Sequence, residues 1–129
     1  MKIKESLDNV ADYREIKEYP FYKFKFPLEP HLNSEIACVI RHINDGHAKV
    51  DFTLYHYDEI YDKNPKTTFK IFSTLAEIVK NHVEEYDINM VECDAFEKVK
   101  LDIYEKLFKR FGPDWEIQRG EVNLIARRG

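Results

Sequence analysis

TTFKIFSTLAEIVKNHVEEYDINMVEC, residues 67–93, is where the spacing of apolar residues changes twice, and the fold turns on how those changes are read. Phe72, Ala76, Val79, Val83 and Tyr86 recur at helical spacing, widened by Leu75 and Ile78, which is the stripe of an amphipathic helix. Pro65 and the threonines Thr67 and Thr68 suit its start, because the first helical residues have N–H groups with no partner inside the helix. DINMVEC then sets a short apolar run between acids, the pattern of a buried central strand lying between two helices.

Upstream, the period is two. In FYKFKF, Tyr22, Phe24 and Phe26 point one way and Lys23 and Lys25 the other, until Pro27 and Pro30 end the strand. IACVIRHI and KVDFTLYHY are two further β-branched and aromatic runs, joined by a turn at Asn44, Asp45 and Gly46. Residues 1–12 read as an N-terminal arm leading into a strand near Tyr13 to Tyr19. Downstream, Phe96, Val99, Ile103, Leu107 and Phe111 form a second helical stripe that stops at Gly112 and Pro113. WEIQ and EVNLIARR close the chain as a hairpin. The expectation is one α+β domain over residues 1–129: an antiparallel meander, then helix, strand, helix, strand, strand, making a mixed sheet with two main helices.

A chain of 129 residues buries roughly two-thirds of its unfolded surface around a single core. Twenty Lys and Arg against twenty-four Asp and Glu leave a net charge of −4. Residues 95–129 are only slightly basic, short of the clustered positive face that nucleic-acid backbones require, so nucleic acid is not an expected partner. No apolar run reaches the roughly 18 residues needed to span a bilayer, and MKIKESLDNV lacks the apolar segment of a signal peptide, so no membrane association and a cytoplasmic location are expected. Cys38 and Cys93 lie in apolar strands, where a thiol acts as a small hydrophobe.

Few residues suggest chemistry directly. His42 and His47 flank the hairpin turn, but two histidines without a third ligand do not make a zinc site, so no metal is expected. No serine, histidine and acid order, paired CxxC or phosphate-binding glycine loop is present, which leaves hydrolase and nucleotidase readings without support. Asp51 is the one carboxylate inside its strand, and alternation with Val50, Phe52 and Leu54 sets it on the solvent side. The tyrosines gather in and beside the meander. Tyr55 and Tyr57, together with Lys23 and Lys25 on the outer face, make a candidate protein-binding patch.

The order of elements, and IYEKLFKRFG at residues 103–112, resemble the GNAT-type N-acetyltransferases, whose last helix often carries a similar leucine-tyrosine-glutamate-lysine-leucine-glycine run. The resemblance implies a gap between the strand that holds Asp51 and DINMVEC. It implies acetyl-coenzyme A near Thr67, Thr68 and Lys70, with Tyr104 as general acid and Asp51 or Glu59, in the HYDE stretch, as base. The loop that should cradle the pyrophosphate, YDKNPKTTFKIF, departs from that family: it has no glycine, and Pro65 removes a donor. KESL at the start, FSTL at 72–75 and KLDIYEKLFKRF are also similar to short bacteriophage proteins without assigned chemistry. Two functions are therefore expected as alternatives. One is a non-catalytic phage accessory protein with no cofactor, binding a host or virion protein or associating with itself. The other is a divergent acetyl-coenzyme A-dependent N-acetyltransferase.

Overall fold

The computed structural model describes residues 10–27, 35–53, 65–95 and 98–128, with backbone alone at 53, 65–68 and 99. The strands are β1 (Arg14–Glu18), β2 (Phe21–Pro27), β3 (Glu35–Asn44), β4 (His47–Thr53), β5 (Met90–Asp94), β6 (Trp115–Arg119) and β7 (Asn123–Arg128). The helices are α1 (Pro65–Glu85) and α2 (Lys98–Phe108), the latter continued by a 3-10 turn over Lys109–Phe111. All seven strands share one sheet in the order β1-β2-β3-β4-β5-β7-β6. Every pairing is antiparallel except β4 with β5.

That one parallel pairing follows from the helix between the strands, since parallel neighbours need a long crossover and α1 supplies it. The end of α1 is built to deliver the chain into β5. Asp87 takes a left-handed conformation (φ 52°), and Ile88 N–H reaches back to Val83 C=O at 2.9 Å, the closing bond of a Schellman motif. Arg128 then clamps the turn, donating to Asp87 Oδ1 at 2.7 Å and Asn89 Oδ1 at 2.8 Å. Gly46 (φ 79°), in the β3–β4 turn, accepts from the amides of Asn89 and Met90 at 2.7 and 2.9 Å. A side chain at Gly46 would press on Asn89, so the glycine serves both the turn and the docking of β5.

Within the described residues the period-2 reading of FYKFKF and KVDF holds. Tyr22, Phe24 and Phe26 are buried, as are Ile36, Cys38 and Ile40 opposite them, then Val50 and Phe52. Both helices cover this core face: His82 of α1 packs on Tyr22 and Phe24, and Tyr104 of α2 packs on Phe52. Val91, Cys93, Leu124 and Ala126 complete the core from β5 and β7. Lys23, Lys25, Val39, Arg41, Lys49 and Asp51 lie on the other, outer face. Of the predicted N-terminal arm, Ala11 is packed against the core, and its amide donates to Thr74 Oγ1 of α1 at 2.8 Å. Cys38 and Cys93 are both free and buried. Among the described residues no helix is long and apolar enough to cross a membrane.

Candidate functional site

Three rungs join β4 to β5: His47 to Met90, Ala48 to Val91 and Lys49 to Glu92. β4 then runs on to Thr53 and β5 to Asp94 without pairing, so the two strands part. At the parting the outer face opens into a cleft of about 570 Å³, within the usual size of small-ligand sites. Its apolar lining is Phe21, Val39, Val50 and Ala95. Its charged lining is Arg41, Lys49 and Asp51 from the meander, with Asp94 and Lys100 across the gap.

Two ion pairs cross the gap where the backbone ladder has stopped. Lys49 Nζ lies 2.7 Å from Asp94 Oδ2, and Lys100 Nζ lies 3.7 Å from Asp51 Oδ1. β4 thus contributes Lys49 and Asp51 at successive outward positions, and their counter-charges come from Asp94 of β5 and Lys100 of α2. The Asp94 hydrogen bond holds the Lys49 ammonium above its usual pKa, and Arg41, directly across the β3–β4 pairing, pulls against that rise.

Tyr104 stands behind the gap on the core side. It is fully buried, its ring centroid 5.0 Å from that of Phe52, and its hydroxyl has no partner at hydrogen-bonding geometry. Burial pushes the phenol far above its ordinary pKa, and Cys93 and Asp51 push further. The nearby Phe52 backbone offsets part of the rise. The Lys100 ammonium sits 6.0 Å from the centroid of the Tyr104 ring. Asp51 and Tyr104 are therefore both at the parting, with Asp51 on the outer rim and Tyr104 within the core.

The other predicted site residues divide. Lys23 and Lys25 are half-buried on the outer face, as alternation requires, and Lys70 is exposed on α1. Thr67 and Thr68 lie in the first turn of α1, and their side chains are outside the description. Tyr55, Tyr57 and Glu59 fall outside the described residues, as does the rest of HYDE. His42 and His47 do not meet. His47 Nε2 bonds Glu92 Oε1 at 2.8 Å, while His42 Nε2 bonds His82 Nε2 at 2.7 Å. Among the described residues no three His, Cys, Asp or Glu side chains gather as a metal would require.

No expectation from the sequence brings His42 and His82 together. The pair sits in a packed aromatic cluster in which Tyr22 contacts both imidazoles, at 4.7 and 4.8 Å, and Tyr86 contacts both at 5.1 and 4.5 Å. Burial lowers the pKa of His42, and lowers that of His82 to about 4 with help from His42 and Lys17. Burial and a hydrogen bond with Tyr22 raise the Tyr86 phenol to about 12. The signal for His82 was its place three residues after Val79 on the apolar stripe, where a polar side chain must find a partner. No protein-family model matches this chain, and no curated protein matches it either.

Proposed function

We propose that this protein is a non-catalytic, GNAT-like bacteriophage accessory protein that acts in the host cytoplasm or on the virion by binding another protein through the outer face of its sheet. The observation that carries the reading is Tyr104: the group that would act as general acid has no exposed surface, and desolvation holds its proton more tightly than an acid catalyst needs. The absence of glycine from residues 61–72 supports it, because a diphosphate needs a concave row of main-chain donors. The strand order, with its single parallel pairing at β4 and β5, supports the GNAT-like reading of the fold. The stretches KESL, FSTL and KLDIYEKLFKRF support the phage assignment.

The parting of β4 from β5 favours the second reading, a divergent acetyl-coenzyme A-dependent N-acetyltransferase. There Asp51 or Glu59 is the base, Tyr104 the acid, and Thr67, Thr68 and Lys70 hold the cofactor. Calorimetry with acetyl-coenzyme A separates the two: a flat trace at millimolar ligand is expected, and micromolar binding would replace the first reading by the second.

A further inference from the structure

Arg41 and Lys49 are partners across the β3–β4 pairing, on the same face. Directly opposed residues have Cβ atoms about 5 Å apart, and like charges there repel. Lys49 has an answering carboxylate in Asp94, but among the described residues Arg41 has none. Lys23 is diagonal to Arg41 on β2, and Lys25 follows two residues on. Neither has an ion-pair or hydrogen-bond partner among the described residues. Most neighbouring acids on this face are engaged, Asp51 by Lys100, Asp94 by Lys49, Glu92 by His47 and Glu35 by Arg14, while Glu18, opposite Phe21 on β1 and diagonal to Lys23, has no ion-pair partner among the described residues. A chain with net charge −4 thus presents, among the described residues, three cations without an ion-pair partner beside a cleft lined in part by Phe21 and Val39.

From this juxtaposition we infer that the outer cleft binds an acidic peptide segment of a protein partner, one that sets a carboxylate against Arg41, another toward Lys23 or Lys25, and an apolar side chain on Phe21 and Val39. The inference rests on the partner-binding reading and names the chemistry of the partner. Charge complementarity selects the occupant: the anion removes the Arg41–Lys49 repulsion, and the cleft takes a side chain rather than a second sheet. A nucleic-acid backbone fits less well, because three cations on a chain of net charge −4 fall short of the extended positive face that a run of phosphates needs.

The test is fluorescence anisotropy of the full chain with a short fluorescein-labelled peptide of aspartate, glutamate and phenylalanine. Three controls are run beside it: the same peptide with lysine for the acids, the same peptide with serine for phenylalanine, and a single-stranded oligonucleotide. The acidic apolar peptide should bind best, losing about tenfold or more in affinity as salt screens the contacts. Arg41→Glu and Lys23→Glu should each weaken it at least tenfold, with unchanged thermal unfolding showing that the fold survives. Equal binding by the lysine peptide, tighter binding by the oligonucleotide, no binding at millimolar peptide, or an Arg41→Glu affinity within twofold of the parent overturns the inference. A partner recovered from phage-infected lysate whose binding ignores Arg41→Glu also overturns it, while leaving the partner-binding reading standing.

Discussion

Along β3 the chain sends His42 to the core face of the sheet and Arg41 to the outer face, and the two faces treat their polar residues in opposite ways. On the core face His42 meets another imidazole at hydrogen-bond distance, enclosed by Tyr22 and Tyr86. On the outer face Arg41 stands across from Lys49, a like charge, with no carboxylate of its own among the described residues. The difference is one of dielectric. A buried polar group left unsatisfied costs about 1–3 kcal/mol, whereas an exposed repulsion costs only tenths because water and salt screen it. At these neighbouring positions of β3 the core-facing imidazole is paired, and the exposed guanidinium remains available to a ligand.

The contrast is broken most severely at neighbouring residues of β4. Phe52→Ala should cost about 3–5 kcal/mol by opening a cavity under Tyr104, while Asp51→Ala, on the exposed face, should stay within about 0.5 kcal/mol; urea unfolding measures both. His82→Ala should cost about 1–3 kcal/mol, since it strands His42 and removes a packed ring, and His42→Ala should cost less. The same pair gives the protein an acid sensitivity. With His82 Nε2–H donating to His42 Nε2, an added proton either sets N–H against N–H or lands on His82 Nδ1, which is buried without a partner.

Unfolded histidine takes up its proton near 6.5, but folded His82 holds out until about 4. The unfolded chain therefore binds more protons between those values, so this contribution is complete above pH 6.5 and lost as pH falls toward 4. The other charged and titratable groups facing the cluster are Lys17, Glu15 and Glu85, with Tyr19 at its edge. Denaturation midpoints across this range should fall with pH in the parent, and less steeply in His82→Phe.

Smaller effects sharpen the comparison. Tyr104→Phe removes a hydroxyl that completes no hydrogen bond, so stability should hold or rise by up to about 1 kcal/mol. A loss would mean that the hydroxyl has a partner. Arg41→Gln should raise stability by about a few tenths of a kcal/mol at low salt, with the gain gone at high salt. A salt-independent loss would show that Arg41 is held in place by the fold rather than repelled.

Part of this was legible in the amino-acid sequence. Alternation in FYKFKF and KVDF assigned residues to faces correctly, because one buried side imposes the period. The helical stripe from Phe72 to Tyr86 and the Gly112–Pro113 stop placed α1 and the end of α2. The opposition of Arg41 and Lys49 was harder to see. A two-residue turn at Asp45–Gly46 pairs Asn44 with His47 and, continued regularly, would set Arg41 against Val50. Ile43 is instead an extra residue in β3, a bulge between His42 and Asn44 that shifts the register by one. The parity of the buried residues on the two strands carried that signal, since Ile40 can share the core with Val50 only if such a residue is inserted.

What the amino-acid order determined by itself was the set of elements, their sequence along the chain and the face each side chain takes, because these depend on local periodicity and turn chemistry. The tertiary structure alone decided that His82 meets His42, forty positions away, and that the parting of β4 from β5 falls after Lys49. Such contacts depend on how packed layers settle against one another, and no spacing within a single segment records that.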